Sequence, residues 1–345
     1  MLHRIASGIS VVLLFVTPPA SASDGVPDTN NAHPAAGFYY VAYRLSDGTV
    51  ETLGGCSGTL IAGNVFLTAG HCSLYDSRLL VEDAAYASAK AWVTFDPVAL
   101  ENDFRCFLQD IGHPGAGALP CDRDALSDPT PTFHRARSTG ITHPDYPVLR
   151  RLGNGSLSIQ EPLTPNNTDL GVLLLEQPIG DIAPLATAPL HHLDHLDASA
   201  FSLLGVGYGL DHHKFIPARP DQPGGDGPTN FVSEYGIRRI ADVGTIRMIT
   251  SARITPTQRN ARGEDSVCYW DSGSPLLLVR NGVVIPTVVG VLTGGALWCM
   301  GAYDPYQRVD TASSIAFLDC VKSATTARDA CRCGAEEALG LCDGL

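Results

Sequence analysis

The sequence predicts an all-β protein closed by one C-terminal helix, on three observations. Short aliphatic and β-branched runs recur along the chain, each bounded by Gly, Pro, Asn or Asp: Phe38 to Arg44, Thr59 to Leu67, Leu170 to Leu175, Phe201 to Val206 and Val283 to Leu292. A sustained helical period is missing until the last fifty residues, where Thr311 to Lys322 places Ile315, Phe317, Leu318 and Val321 on one apolar face. With 345 residues, 44% of them apolar and 17% charged, the chain has ample material for a buried core.

Taken in order, the chain opens with His3 and Arg4, an apolar run from Ile9 to Val16, and Ala20-Ser21-Ala22. That is the pattern of a secretory signal over 1–22, with Ser23 as the new N-terminus after cleavage. The run is much shorter than the roughly 20 apolar residues of a spanning helix, so no membrane span is expected. A domain over 23–323 follows. Within it, the stretch from Ala84 to Asn167 is long and rich in Pro, Gly and Asp, and reads as an extended surface insertion that Cys106 and Cys121 would staple. Asp211 to Thr229, rich in Pro and Gly, reads as a second loop. A tail over 324–345 adds Cys331, Cys333 and Cys342 in a small space.

Ten cysteines in a chain bound for an oxidising compartment point to disulfides and to an extracellular or periplasmic location. Neither a metal nor a cofactor is called for. Cys331-x-Cys333 with Cys342 lacks a histidine pair and reads as a disulfide knot, and His191, His192 and His195 read as surface histidines in a loop. A net charge of -13 gives no electrostatic reason to bind nucleic acid or anionic lipid. Asn154 and Asn166 match glycosylation acceptors.

Serine-based amide hydrolysis needs a base beside the hydroxyl, a carboxylate that fixes the tautomer of that base, and donors aimed at the developing oxyanion. Thr68-Ala69-Gly70-His71-Cys72 follows the apolar run Val65-Phe66-Leu67, so a strand would deliver His71 to a turn. Asp169 opens Leu170-Gly171-Val172-Leu173-Leu174-Leu175, a buried-strand pattern. Cys268-Tyr269-Trp270-Asp271-Ser272-Gly273-Ser274-Pro275 precedes Leu276-Leu277-Leu278-Val279 and would put Ser272 on a tight turn. A lone His, Asp or Ser-Gly is ordinarily structural; the ordered set of three is what points to catalysis.

These three segments, in the order His, Asp, Ser, resemble the trypsin/chymotrypsin family over about residues 38 to 322. The resemblance implies two six-stranded antiparallel barrels with the site between them and a C-terminal helix. It implies His71 as general base, Asp169 as its orienting partner, Ser272 as nucleophile, and the backbone N–H groups of Trp270 and Ser272 as the oxyanion hole. It also implies disulfides Cys56–Cys72 and Cys268–Cys299, leaving the pairing of Cys320, Cys331, Cys333 and Cys342 open.

Trp270 stands where the family has glycine, and Ser274 replaces a second glycine. A bulky side chain narrows the backbone angles that present the hole; the alternative is that the indole covers the leaving-group side and narrows specificity. The family's activation sequence is missing, so Asp271 would be met either by the amine of Ser23 or by internal groups. In the specificity pocket, Ser266 would occupy the base and argue against a basic residue, whereas Asp304, or Asp265, would favour Arg or Lys. Thr293-Gly294-Gly295 would pair with the substrate backbone, Gly294 replacing the usual tryptophan. The expected partners are protein or peptide substrates and protein inhibitors. The function implied is a secreted serine endopeptidase; the alternative is a protease-like binding or scaffold protein impaired at Trp270 and Ser274.

Overall fold

The computed structural model describes residues 25–74, 80, 83–137, 140–146, 148–151, 157–160, 167–210, 235–257, 267–295 and 304–344. The first part of the chain gives β1 (Val26–Pro27), β2 (Ala36–Leu45), β3 (Val50–Ala62), β4 (Val65–Thr68), β5 (Tyr86–Thr94), β6 (His134–Arg135), β7 (Ile141–Thr142), β8 (Val148–Arg151), β9 (Leu157–Gln160) and β10 (Gly171–Leu174). The second gives β11 (Ala186–Thr187), β12 (Ser202–Gly207), β13 (Arg239–Ile249), β14 (Arg253–Pro256), β15 (Pro275–Arg280), β16 (Val283–Leu292) and β17 (Tyr306–Arg308).

Seven strands form one curled antiparallel sheet in the order β6-β5-β2-β3-β4-β10-β7. Its two sides meet where Ala136 bridges Leu175, with the Arg137 N–H donating to the Leu174 carbonyl at 2.7 Å. In the second sheet β13 pairs with both β12 and β14, so β12-β15-β16-β17-β14-β13 close into a six-stranded barrel, to which β1 and β11 are attached. A closed barrel beside a curled sheet, followed by a C-terminal helix, is the two-barrel trypsin-like architecture.

Strand β2 is buried at eight consecutive positions because both of its faces are used. Tyr39, Val41 and Tyr43 point into the main core, while Phe38, Tyr40 and Ala42 support a second, aromatic cluster with Trp92, Phe104, Leu108 and Phe133. That cluster seats α1 (Glu101–Asp110), a helix the sequence pattern did not predict. At ten residues it is too short to show a clear period, and Phe104 and Leu108, one turn apart, carry its buried face. The expected insertion needs a second correction at its start. β5 pairs with β2 from Phe38↔Thr94 to Leu45↔Tyr86 and buries Ala91, Trp92 and Val93, so it belongs to the sheet. Its small and polar residues hide the alternation that marks a strand. Beyond it, Cys106 is bonded to Cys121.

The C-terminal helix α2 (Ala312–Ser323) starts at Thr311, whose hydroxyl accepts the Ser314 N–H, and buries Phe317, Leu318 and Val321. Ile315, expected on that face, is only half-buried. A short helix α3 (Ala327–Cys331) and two single turns complete the tail, held by Cys320–Cys333 and Cys331–Cys342. Among the described residues no helix is long and apolar enough to cross a membrane. The expected signal segment, Ser23, Asn154, Asn166 and the expected loop from Asp211 to Thr229 lie outside the described residues.

Candidate active site

β4 runs out at Thr68 and the chain turns into a helical segment at 70–74 that carries His71. β10 pairs with β4 through Gly171↔Thr68, which brings Asp169 beside His71 across 98 residues of sequence. Two contacts join them. The His71 N–H donates to Asp169 Oδ1 at 2.8 Å, and His71 Nδ1 lies 3.0 Å from Asp169 Oδ2. Asp169 is 3% exposed, and its own N–H donates to Gln307 Oε1 at 3.0 Å, so its backbone is held from the second barrel. A carboxylate at Nδ1 holds the ring proton there and leaves Nε2 as the basic nitrogen. The Cys56–Cys72 disulfide ties β3 to the same turn.

Ser272 sits on a turn ahead of β15 that is pinned on every side. The Asp271 N–H donates to the Cys268 carbonyl at 3.1 Å, the Ser274 N–H to the Asp271 carbonyl at 2.8 Å, and the Gly273 N–H to the Leu292 carbonyl at 2.9 Å. The Ser272 N–H finds no acceptor among the described residues. Gly273, at φ +86°, presses against the Ser57 carbonyl, Thr68 Oγ1 and the backbone nitrogen of Ala69, where a Cβ would be 3.0 Å from that nitrogen. Only glycine permits both the angle and the approach. The turn is thereby seated on the two residues that lead into the His71 segment.

Trp270 has φ +70°, an angle that costs a non-glycine residue about 1–3 kcal/mol. Its surroundings offset this cost. The Trp270 carbonyl accepts both the N–H and the hydroxyl of Ser57, at 3.0 and 2.9 Å, and the indole N–H donates to the Gly54 carbonyl at 3.1 Å. The indole stacks on Tyr235, whose hydroxyl donates to Glu101 at the start of α1. Asp271 is met by internal groups: its carboxylate accepts the N–H of Gly209 at 2.7 Å and that of Cys268 at 2.9 Å.

Of the expected pocket, Thr293 donates both its N–H and its hydroxyl to the Pro305 carbonyl, at 3.0 and 2.9 Å. A Cβ placed on Gly294 would have no neighbour within 4 Å among the described residues. Asp304 is 2% exposed and lies against Gly295, where a Cβ would stand 2.6 Å from its Oδ1. Burial, with the carboxylates of Asp304 and Asp271 nearby, pushes the Tyr306 hydroxyl well above its ordinary range. Ser266, Asp265 and Cys299 lie outside the described residues; Cys268 is disulfide-bonded.

Among the described residues one trio has metal-like proximity, Cys56, His71 and Cys72, and both of its sulfurs are spent in the disulfide. His191, His192 and His195 lie on or beside a short exposed turn, with His191 Nδ1 2.7 Å from Asp194. Sequence reading missed Ser57, Gln307 and Tyr235. Ser57 follows Cys56 and Gln307 lies three residues after Asp304, both singled out in the sequence, whereas nothing in the sequence around Tyr235 marks it.

The closed barrel, the curled sheet and the C-terminal helix define the trypsin-like fold class. No protein-family model matches the chain and no curated protein matches it. Among solved structures the chain is similar to one titled HL collagenase, at 12% identity and a TM-score of 0.47, over 88% of this chain and 99% of that one.

Proposed function

We propose that the chain is a secreted serine endopeptidase, with Ser272 as nucleophile, His71 as general base and then acid, and Asp169 as the group that orients His71. The observation that carries this reading is the two-point contact between His71 and buried Asp169, next to a turn seated by Gly273 on Thr68 and Ala69.

In this reading Ser272 Oγ attacks the scissile carbonyl carbon and its proton passes to His71 Nε2. Charge builds on the carbonyl oxygen, and the unengaged Ser272 N–H, with the Trp270 N–H, would receive it. Collapse of the tetrahedral adduct breaks the C–N bond as His71 returns the proton to the leaving amine. Water then attacks the acyl-enzyme with His71 again as base, releasing the acid and restoring Ser272. Asp169 stabilises the transient imidazolium without taking its proton.

The substrate class is protein or peptide, with Arg or Lys at the cleaved position, because a buried carboxylate at Asp304 would meet a basic side chain inside the pocket wall. Disulfides at Cys56–Cys72, Cys106–Cys121, Cys320–Cys333 and Cys331–Cys342 support an oxidising, extracellular or periplasmic setting. A panel of peptides varied at the cleaved position, run on the wild type and on Ser272→Ala, tests the proposal. Turnover that falls on the order of 10⁴-fold or more in the variant is expected; a folded wild type that cleaves nothing contradicts it.

A further inference from the structure

The tail holds a buried carboxylate that the proposed chemistry does not use. Glu336 is 2% exposed, and its Oε2 accepts the N–H of Thr142 at 2.9 Å. Gly334, two residues earlier, lies against the Ile141 side chain and the Thr142 carbonyl, so the stapled tail is pressed onto β7 along that strand's whole length. A carboxylate withdrawn from water is costly unless donors meet it, and here a donor comes from a strand beside the His71–Asp169 pair.

β7 reaches both members of that pair. Through its backbone it pairs with β10 at Gly171↔Thr142, and the adjoining His143 N–H donates to the Leu170 carbonyl at 2.8 Å, one residue after Asp169. Through its side chain, Thr142 Oγ1 lies 2.7 Å from Ser73 Oγ, and the Ser73 hydroxyl also lies 3.1 Å from the carbonyl of Gly70, the residue before His71. On the opposite side two holds on this segment come from the C-terminal part of the chain. One is Glu336; the other is Ser313 in α2, whose carbonyl and hydroxyl oxygens lie 3.2 and 3.1 Å from His143 Nε2. Among the described residues this two-residue strand pairs with β10 alone, and of its two side chains Ile141 packs into the main core.

We propose that the disulfide-stapled tail is a positioning clamp for the active site. Glu336, acting through Thr142 and Ser73, sets the His71 turn against the Asp169 strand, and is a positioning residue. The idea rests on the proteolytic reading of His71, Asp169 and Ser272.

The test uses the full chain with its disulfides intact and three variants: Glu336→Ala, Glu336→Gln, which keeps an oxygen able to accept the Thr142 N–H, and Thr142→Val, which is isosteric and removes only the hydroxyl link. Two quantities are read: kcat and KM on a peptide ester, and the titration of the His71 ring protons by NMR, which needs no turnover. Glu336→Ala and Thr142→Val should each lower kcat about 10- to 100-fold with KM changed less than about twofold, as a small displacement of a catalytic group does. Both should lower the His71 titration midpoint, since a base drawn away from Asp169 loses the charge that favours its protonated form. Glu336→Gln should restore most of both. Folded Glu336→Ala and Thr142→Val proteins with wild-type kcat and His71 titration overturn the clamp. Loss in both Glu336 variants alongside a wild-type-like Thr142→Val also overturns it, leaving the tail a purely structural element. An inactive wild type whose His71 titration still moves in Glu336→Ala refutes the proteolytic reading, and with it the clamp's catalytic role, and leaves only the link from Glu336 to His71 standing.

Discussion

The Tyr235 ring lies flat against the Trp270 indole, 4.6 Å between centroids and 16° between planes. This stack, with the indole N–H on the Gly54 carbonyl, lets a tryptophan keep φ +70° at a position where a glycine would adopt that angle freely. It also links the Trp270–Ser272 turn to α1, because the Tyr235 hydroxyl donates to Glu101, which pairs with Arg105.

Tyr235→Ala is therefore expected to lower kcat by about 10-fold or more, up to the 10²–10³ lost with a whole oxyanion donor. Trp270→Gly removes the strain that the stack restrains. The double variant should thus match Trp270→Gly alone, a non-additivity that steady-state kinetics on all four proteins would measure. Simple additivity of the two losses would contradict the account.

Asp304 lies against Gly295 from a buried position, and in the proposed reading its charge meets the side chain at the cleaved position. Asp304→Asn should lower kcat/KM for Arg and Lys substrates by about 10- to 100-fold and leave small apolar ones within about twofold, consistent with a charge-assisted hydrogen bond worth about 1.5–3 kcal/mol. Competition between two peptides in one reaction gives this ratio directly. An unchanged ratio would remove Asp304 from specificity.

Much of the geometry of the candidate site was legible because its residues lie on strong local patterns. Val65-Phe66-Leu67 ends in His71 and Leu170 to Leu175 begins at Asp169, and both runs are buried strands whose pairing sets the contact. What was not legible depends on long-range packing. β5 carries Ala87, Ser88, Ala89 and Lys90, which read as loop, and becomes a strand because β2 offers it a partner along its length. α1 is amphipathic over only ten residues and is stabilised by the outer face of β2, with Tyr40 and Phe104 stacked at 4.9 Å. Tyr235 follows a Pro- and Gly-rich stretch, and its role depends on Trp270 being 35 residues away in sequence but adjacent in space.

Arg238 is fully buried and donates to Asp28 at 2.8 Å, to the carbonyls of Ala36 and Phe95 and to Asn31, fastening the N-terminal segment between the two barrels. Burial raises the Asp28 carboxyl, but the N–H groups of Ala32 and His33 and the Arg238 guanidinium outweigh it and hold the pKa below the usual 3.8. Asp28→Ala leaves the guanidinium uncompensated and should cost about 3–5 kcal/mol in urea unfolding. Because the folded pKa is depressed, this pair's contribution is complete above about pH 4 and is lost as pH falls through the folded value. A loss under 1 kcal/mol would contradict the pairing.

His33, His113, His134 and His143 all have pKa values held below the ordinary 6.5, chiefly by burial. The unfolded chain then binds more protons than the folded one once the pH drops below about 6.5, so stability falls from there through the lower folded values and is unaffected by these groups above it. Each proton contributes a slope of at most about 1.4 kcal/mol per pH unit. Thermal unfolding should show a lower Tm at pH 5.5 than at pH 7.5, and a smaller difference in His143→Gln. A Tm that is level or higher at pH 5.5 would contradict these directions.

The central claim is that Ser272 is an activated nucleophile, and it is tested most directly by covalent labelling with a peptidyl diphenyl phosphonate carrying Lys or Arg at the reactive position, read by mass spectrometry. The account predicts one adduct per chain on the peptide containing Ser272, no adduct in Ser272→Ala, and labelling slowed by orders of magnitude in His71→Ala. Folded, disulfide-intact protein that takes up no reagent at Ser272, or that labels equally fast without His71, would contradict it.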